Sequence, residues 1–146
     1  MYPQLLRRLQ DLNRKHPVKL GLECSQELYR LLNTPLAQRR VPIIHVGGTN
    51  GKGTVCLKLA EWARRSGIKT GLFVSPHIAS YRERIQIDGQ YITEDSVSEL
   101  LPQILSLCEK HNLPATFFEI TTMLALLAFE RASCRLVVLE VGLGGR

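Results

Sequence analysis

A glycine-rich segment near position 50 constrains the fold of this chain more than any other feature. The segment is Gly48-Thr49-Asn50-Gly51-Lys52-Gly53-Thr54, between an apolar run at 41–46 and a helical pattern. A strand, a glycine-rich turn and a helix in this order are typical of a phosphate-binding loop, because glycines let backbone N–H groups surround phosphate oxygens. The positive end of the helix would attract the same anion, Lys52 would contact the outer phosphates and Thr54 would meet a bound metal ion. An exposed lysine in an ordinary glycine turn is the alternative.

The neighbouring segments extend this pattern into an α/β fold. The sequence predicts a strand over 43–46, a helix over 53–66 and a strand over 70–74, with Gly67 as a left-handed stop after the helix. Such a βαβ unit implies parallel strands and a right-handed crossover. The continuous apolar run at 135–141 is typical of a central strand covered on both faces. The predicted fold class is therefore α/β, a three-layer P-loop-type domain with a mainly parallel sheet that is incomplete at the C-terminus.

The rest of the chain predicts helices and one hairpin. Asp88-Gly89 lies between alternating apolar and polar residues, which is a strong cue for a two-residue hairpin turn. Helical spacing predicts a helix from the N-cap Thr93 to Cys108, with a kink or a break at Pro102. Further helices are predicted near the N-terminus, over 25–32 and over 118–131. Apolar residues at helical spacing are Val55, Leu59, Trp62 and Ala63 in the helix after the glycine-rich segment, and Ile120, Met123, Leu124 and Leu127 in the last helix.

Composition restricts the class of protein. The 146 residues are 45% hydrophobic and 22% charged, which predicts a globular chain, and no apolar run approaches the roughly 20 residues of a membrane helix. The formal charge of +6 fits either an arginine-rich solvated surface or attraction to an anion such as a nucleotide, whereas an aromatic content of 6% does not favour a nucleic-acid surface. The four cysteines form no C-x-x-C pair, so we predict a reducing, cytoplasmic location; a mitochondrial transit peptide is the alternative.

Oxygen-bearing side chains at predicted strand ends are candidate metal ligands. Glu140 lies near the end of the last apolar run and Ser75 follows the second strand, so both would lie at the carboxyl edge of the sheet, where open α/β proteins bind ligands. Glu140 could hold Mg²⁺ beside nucleotide phosphates, or it could pair with a nearby arginine. Ser75 could ligate the same ion or belong to a plain turn.

Phe117-Phe118-Glu119-Ile120 combines two aromatic rings with a carboxylate. Aromatic rings stack on flat ligands, and a carboxylate accepts hydrogen bonds from ring N–H groups. A helix start with aromatic side chains in the core would have the same sequence, and the residues alone favour that interpretation.

Together these motifs resemble the folylpolyglutamate synthases, including the bifunctional dihydrofolate synthases, of the Mur ligase superfamily. The resemblance covers nearly the whole chain and is carried by Leu20-Gly21-Leu22-Glu23, the segment from His45 to Thr54, Ser75-Pro76-His77, Glu83-Arg84-Ile85, Phe117-Phe118-Glu119 and the segment from Leu139 to Arg146. Gly53, which separates Lys52 from Thr54, fits the folate branch better than the cell-wall branch and disfavours the common kinase and GTPase classes.

The resemblance implies an ATP-dependent ligase that joins L-glutamate to a folate or dihydropteroate carboxylate through an acyl phosphate. It implies that ATP is held by Thr49, Asn50, Gly51, Lys52, Gly53 and Thr54, with Lys52 also catalytic, that Mg²⁺ is held by Ser75 and Glu140, and that the pterin site is lined by Phe117, Phe118, Glu119 and Ile120. The implied partners are these substrates, without nucleic acid or membrane, and a full-length protein is expected to be a monomer. Residues 1–40 would be an N-terminal helical segment and residues 41–146 the first part of a Mur-ligase-like ATP-binding domain.

Several parts of the family pattern are not in this sequence. After Gly144-Gly145-Arg146 the family continues with an aspartate and a Thr-Asn segment, then a metal-binding histidine, a carbamylated lysine and a C-terminal glutamate-binding domain. We therefore expect a truncated chain without ligase activity of its own. The alternatives are a non-catalytic ATP-binding fragment, another P-loop kinase or NTPase, and a basic nucleic-acid binder. The motifs do not separate dihydrofolate synthase from folylpolyglutamate synthase activity.

Overall fold

A computed structural model describes residues 1–15, 30, 41–47, 52–75 and 79–140. These residues contain the helices α1 (Tyr2–Lys15), α2 (Lys52–Arg65), α3 (Glu94–Lys110) and α4 (Phe117–Arg131), the strands β1 (Ile43–Val46), β2 (Thr70–Phe73), β3 (Ile85–Ile87), β4 (Gln90–Tyr91) and β5 (Leu136–Glu140), and a 3-10 helix at Tyr81–Arg84. The strands and helices predicted here differ from these bounds by one or two residues at most of their ends. The predicted helix over 25–32 lies almost entirely outside the described residues.

The strands form one sheet in the order β1-β5-β2-β3-β4. β5 lies between β1 and β2 and is parallel to both, with Val46 beside Glu140 and Phe73 beside Leu139. β3 is antiparallel to β2, and β4 is antiparallel to β3. This arrangement confirms the predicted α/β class, the mainly parallel sheet and the central place of the last apolar strand. It also shows that β1 and β2, which the βαβ pattern links, are separated by β5.

The chain divides into two compact units, and the sheet belongs to the one formed by Leu36–Thr93 and Phe129–Arg146. On one face of the sheet, Cys56 of α2 packs with Leu72 and Val138 in a buried apolar cluster. Gly71 points to the opposite face, because side chains alternate along a strand. A Cβ atom on Gly71 would lie 2.5 Å from the Phe129 ring, so the close approach of that ring requires glycine here.

α2 contacts the sheet mostly through small side chains, together with Leu59. Cys56 and Ala63 are fully buried and Ala60 packs partly against the same cluster, whereas Val55 and Trp62 are exposed. Of the four apolar positions that mark this helix in the sequence, Ala63 is buried and Leu59 packs partly against the cluster, as predicted, whereas Val55 and Trp62 lie outside the core face. Small residues let the helix backbone approach the strands closely, and the larger Val55 and Trp62 lie on a flank.

The second unit, Met1–Pro35 with Glu94–Ala128, is helical in its described part. α1 buries Leu5 and Leu9. The predicted apolar positions of α3 and α4 are buried as expected, namely Val97, Leu100, Leu101, Ile104, Leu105 and Cys108 in α3 and Ile120, Met123, Leu124 and Leu127 in α4. Pro102 lies inside the continuous helix α3, so the helix does not break there, and the alternative of a kink stays a prediction. The predicted division at residue 40 stays a prediction.

Two turns adopt the backbone predicted for them. Asp88 and Gly89 have φ angles of 51° and 80°, the left-handed pair that a tight hairpin between β3 and β4 needs. The Asp88 carboxylate also accepts a hydrogen bond from the Thr70 N–H at 2.9 Å, which ties the hairpin to the start of β2. Gly67, with φ of 82°, ends α2, and the Ile68 N–H donates to the Ala63 carbonyl at 3.0 Å.

Three of the four cysteines lie among the described residues, and all three are buried thiols outside any disulfide: Cys56, Cys108 and Cys134. Buried cysteines of this kind behave as small core residues. Burial raises the pKa of the Cys134 thiol to about 11, so it remains protonated and is a poor nucleophile at neutral pH.

Candidate nucleotide-binding site

The carboxyl ends of the parallel strands β1, β5 and β2 meet at one edge of the sheet. Their register aligns Val46 of β1 with Glu140 of β5, and Phe73 of β2 with Leu139. α2 follows β1 and returns across the sheet to the start of β2, so its first residue, Lys52, lies at this same edge. Three parts of the chain therefore lie at this edge: the end of the glycine-rich segment, the residues after β2 and the last residue of β5.

The start of α2 is suited to bind an anion. Lys52, Gly53 and Thr54 form its first three residues, and Thr54 is exposed. The first N–H groups of a helix have no partner within it and carry the positive end of the helix dipole. No acidic residue lies in this first turn to compete with a bound anion. The predicted ATP-binding residues Thr49, Asn50 and Gly51 lie outside the described residues.

Glu140 and Ser75 both lie at the carboxyl edge of the sheet, and their role as metal ligands stays a prediction. Glu140 is the last residue of β5, is buried and shares the α2 face of the sheet with Val138, since the two residues are two apart in a strand. Ser75 is half-buried and follows β2, which ends at Phe73. A carboxylate and a hydroxyl are hard oxygen donors of the kind that Mg²⁺ prefers, and Mg²⁺ takes its other ligands from phosphates and water. Within the described residues no group of three or more His, Cys, Asp or Glu side chains is placed to hold a metal ion.

A cation that sequence reasoning left without a role, Arg84, also lies at this edge. The Val74 N–H donates to the Arg84 carbonyl at 2.9 Å, which fixes Arg84 beside the end of β2. Burial lowers the pKa of the Arg84 guanidinium, although an arginine still carries its charge at neutral pH. The sequence signal was the Glu83-Arg84-Ile85 motif, whose position opposite the end of β2 becomes apparent only once β3 is paired.

A short network holds the 3-10 helix that carries Arg84. The Glu83 carboxylate accepts hydrogen bonds from the Ala79 N–H at 3.0 Å and the Ser80 N–H at 2.8 Å. In return the Ser80 hydroxyl accepts from the Arg82 N–H at 3.3 Å. This capping box fixes the start of the 3-10 helix that leads into β3.

The predicted pterin residues lie in the helical unit, at the start of α4. The Thr116 N–H donates to a Glu119 carboxylate oxygen at 3.1 Å, and the Glu119 N–H donates to the Thr116 hydroxyl at 3.1 Å. Glu119 and Ile120 are buried, whereas Phe117 and Phe118 are half-buried. One Glu119 oxygen therefore caps the helix, a role that the spacing of Thr116 and Glu119 could have indicated. The pterin role of these four residues stays a prediction.

A cavity of about 290 Å³ in the sheet unit lies away from this edge. It is lined by Leu57 and Arg64 of α2 and by Thr70 and Asp88. Because Thr70 is the first residue of β2, the cavity lies at the opposite end of that strand from Ser75. It is therefore separate from the candidate nucleotide site.

The parallel strands, the helix that begins at Lys52 and the oxygen donors at the carboxyl edge define an α/β domain of the P-loop type. No family model matches the sequence. A dihydrofolate synthase/folylpolyglutamate synthase from Buchnera aphidicola is 44% identical over 101 residues, which are 69% of this chain and 24% of that protein. The Escherichia coli FolC structure in complex with DHPP and ADP matches 97% of this chain and 34% of its own, with a TM-score of 0.85 and 34% identity.

A third match is a bifunctional folylpolyglutamate synthase/dihydrofolate synthase structure with Mn, AMPPNP and L-glutamate bound, with a TM-score of 0.82 and 35% identity over 97% of this chain and 34% of its own. The chain belongs to the folylpolyglutamate synthase/dihydrofolate synthase family. It spans 24% of the Buchnera relative and 34% of the E. coli structure. No helix among the described residues is long and apolar enough to cross a membrane.

Proposed function

We propose that this chain binds ATP and Mg²⁺ at the carboxyl edge of β1, β5 and β2, as the nucleotide-binding part of a ligase. The observation that carries the proposal is the strand register, which brings the start of α2, Ser75 and Glu140 to one edge. Related structures support the choice of ligand, because one contains AMPPNP, Mn and L-glutamate and another contains ADP and DHPP.

Each residue at the edge has a distinct proposed role. The N–H groups at the start of α2 would hold the phosphate oxygens, and the Lys52 ammonium would neutralise charge on the outer phosphates. Thr49, Asn50, Gly51, Gly53 and Thr54 complete the proposed ATP-binding segment. Ser75 and Glu140 would hold Mg²⁺, which supplies further neutralisation of the transferring phosphoryl group when bound. Arg84 would add positive charge at the same edge.

For the whole protein we propose ligation of L-glutamate to a folate or dihydropteroate. A carboxylate oxygen of the acceptor attacks the γ-phosphorus of ATP, the bond to the β-phosphate oxygen breaks, and ADP leaves with an acyl phosphate formed. The glutamate amine then attacks the acyl carbon, loses a proton and displaces phosphate to form the amide. Phe117, Phe118, Glu119 and Ile120 would contact the pterin ring. The charges at the carboxyl edge would act on the first step, where negative charge is redistributed on the phosphoryl group.

Nucleotide binding and ligation are proposed for different lengths of chain. The chain spans 24% of the Buchnera relative, so nucleotide binding is proposed for these 146 residues and ligation for a protein that also holds the rest of the family pattern. On its own the chain is proposed to bind ATP without turnover. A cytoplasmic, monomeric full-length enzyme is part of the same proposal, and the choice between dihydrofolate synthase and folylpolyglutamate synthase activity stays open.

Calorimetric titration of the chain with AMPPNP, in the presence and absence of Mg²⁺, tests nucleotide binding. We expect saturable binding that is at least about tenfold weaker for Lys52→Ala, because loss of a cation at the phosphates costs about 1.4 kcal/mol or more. Lys58→Ala is the matched control, since Lys58 is an exposed lysine on the same helix and outside the proposed site. A folded chain that binds no AMPPNP, or equal weakening by both variants, would contradict the proposal.

A further inference from the structure

The cavity at the amino end of β2 has a floor made by β2 and β3. Leu72 lies opposite Gln86 in the antiparallel register of the two strands. Two residues earlier on β2, the Asp88 N–H donates to the Thr70 carbonyl at 2.9 Å, and the Thr70 N–H donates to the Asp88 carboxylate at 2.9 Å. Because alternate residues of a strand share a face, both pairs lie on the α2 side of the sheet, where they line a volume of about 290 Å³.

One flank of α2 forms the wall opposite this floor. Leu57 and Arg64, two turns apart on the helix, both line the cavity. Because a helix rises about 1.5 Å per residue, Leu57 lies about 10 Å nearer the nucleotide edge than Arg64. The Arg64 side chain passes beside the hairpin turn, since its Cδ atom would lie 3.6 Å from a Cβ atom on Gly89. The cavity therefore has an apolar end beside Leu57 and a polar end beside Arg64 and the turn.

The polar lining differs in how fully its groups are already paired. The Glu61 carboxylate accepts hydrogen bonds from the Arg64 guanidinium at 2.6 and 3.0 Å, so this pair is engaged with itself. Within the described part of the chain, the only hydrogen bond to the Asp88 carboxylate is the one from the N–H at the start of β2, which occupies one oxygen. The Gln86 amide nitrogen donates to the Glu83 carbonyl at 3.1 Å, which leaves its amide oxygen to accept from another partner. A carboxylate oxygen and an amide oxygen are therefore available to a ligand.

We propose that this cavity binds a small organic cation with a protonated amine at one end and an apolar group at the other. Asp88 and Gln86 are two residues apart on one strand, about 7 Å, so an ammonium group with its three N–H donors can reach both acceptors. The apolar group would pack on Leu57 and Leu72. Two carboxylates and one guanidinium, itself paired with Glu61, line the cavity and favour a cation over an anion. The volume lies near the lower limit of ligand pockets, about 300 to 1,000 Å³, which suits a compact monoamine.

Benzylamine is the probe for this site, because it is protonated at neutral pH and carries a compact apolar ring. Added to the 15N-labelled chain, it should shift the backbone amide resonances of Thr70, Asp88 and Gly89 along a saturating curve. Benzyl alcohol has a similar shape without the charge and should bind at least about fivefold more weakly, because a hydrogen bond between charged groups is stronger than a neutral one. Benzoate, which carries the opposite charge on the same ring, should give no saturable shift of these resonances.

A matched pair of aspartate variants locates the charge that holds the amine. Asp88→Asn removes the charge but keeps an oxygen for the Thr70 N–H, and asparagine tolerates the left-handed backbone at this position, where φ is 51°. It should weaken benzylamine binding at least about fivefold. Asp95→Asn alters an exposed aspartate in the first turn of α3 and should change the affinity less than about twofold. Leu57→Ala, at a position that is 50% exposed, should weaken benzylamine and benzyl alcohol by similar factors, because it shortens only the apolar end.

Three results would overturn the proposal. The first is a folded chain in which benzylamine gives no saturable shift at the cavity. The second is binding of benzyl alcohol or benzoate as tight as that of benzylamine, and benzoate would then assign the cavity to anions through Arg64. The third is equal affinity of Asp88→Asn and Asp95→Asn for benzylamine; if Asp88→Asn does not fold, the three probes and Leu57→Ala decide. Because the cavity lies at the opposite end of β2 from Ser75, AMPPNP titration is a separate measurement, so failure of either site leaves the other standing.

Discussion

Two buried carboxylates, Glu140 at the end of β5 and Glu119 at the start of α4, are nearly identical in exposure but differ in what surrounds them. Their exposed fractions are 6% and 7%. Glu140 ends a central parallel strand at the edge where the start of α2 and Ser75 also lie. Glu119 forms reciprocal hydrogen bonds with Thr116 three residues earlier, at the start of its own helix.

The difference shows that burial of a motif carboxylate does not by itself identify a ligand. A capping box explains the burial of Glu119 locally, because it satisfies a backbone N–H that the helix leaves unpaired. The position of Glu140 instead depends on the topology, since a strand end at a carboxyl edge is where open α/β sheets bind ligands. Mutation of Glu140 should therefore affect ligand binding, whereas mutation of the capping box at Glu119 should affect stability.

The largest expected effect is that of Glu140→Gln on nucleotide binding. An amide retains the shape of the side chain but removes the charge that Mg²⁺ binds, so the affinity for AMPPNP in Mg²⁺ should fall at least about tenfold. The dependence of that affinity on Mg²⁺ should also shrink. Calorimetric titration of the unaltered chain and of Glu140→Gln with AMPPNP, with and without Mg²⁺, provides the measurement.

Glu119→Gln is the matched control for this experiment, because it changes a carboxylate of equal burial outside the proposed nucleotide site. Its AMPPNP affinity should equal that of the unaltered chain. If Glu119→Gln lost as much Mg²⁺-dependent affinity as Glu140→Gln, the distinction between the two carboxylates would fail.

A smaller effect, about 1 kcal/mol of unfolding free energy, is expected when the capping box is broken by Thr116→Ala. The substitution removes the hydroxyl that accepts the Glu119 N–H, and the free N–H then has to find water. Urea unfolding followed by circular dichroism measures the loss, and AMPPNP binding should not change.

Glu119→Gln and Thr116→Ala together test whether Glu119 binds the pterin as well as capping α4. Glu119→Gln keeps an oxygen that can accept the Thr116 N–H, so it should cost less stability than Thr116→Ala. A pterin ligand would behave differently, because Glu119→Gln would then weaken binding of dihydropteroate by the full-length ligase while Thr116→Ala would not. Equal dihydropteroate affinity in both variants would leave Glu119 as a helix cap alone.

Local signals were enough to predict much of the fold. The apolar run of β5 indicated a central strand, and Asp88-Gly89 indicated the hairpin, because both depend on neighbouring residues alone. The placement of Glu140 and Ser75 at one edge also followed from strand order along the chain. The insertion of β5 between β1 and β2 was not predictable in this way, since strand order in space depends on long-range pairing.

The contact face of α2 was predicted only in part. Periodicity included Leu59 and Ala63, which do lie on the core face, but it also included the exposed Val55 and Trp62 and left out the buried Cys56. Distance between helix and strands, which decides what size of side chain fits, cannot be seen in one sequence. Capping by Glu119 and the position of Arg84 were missed because the same residues had been considered as parts of motifs.

A third carboxylate, Glu61, extends the comparison to an exposed position. It accepts hydrogen bonds from Arg64 at 2.6 and 3.0 Å and from Arg65 at 2.9 Å, all within α2. Hydrogen bonds from Arg64 and then Arg65 lower the pKa of Glu61 from 4.5 to about 2. Its partners are close in sequence, as is Thr116 for Glu119, but water and salt can screen its interactions with the two arginines.

The smallest predicted effect is therefore a pH-dependent one at Glu61. Because its pKa is lower in the folded chain than in the unfolded chain, the ion pairs stabilise the fold fully above about pH 4.5 and progressively less as the pH falls towards 2. Urea midpoints of the unaltered chain and Glu61→Gln should differ slightly at neutral pH and converge in acid, and high salt should reduce the difference at neutral pH. A gap that persisted at pH 2 would show that Glu61 acts through packing rather than charge. A gap larger than that of Thr116→Ala would contradict the ranking of exposed ion pairs below buried caps.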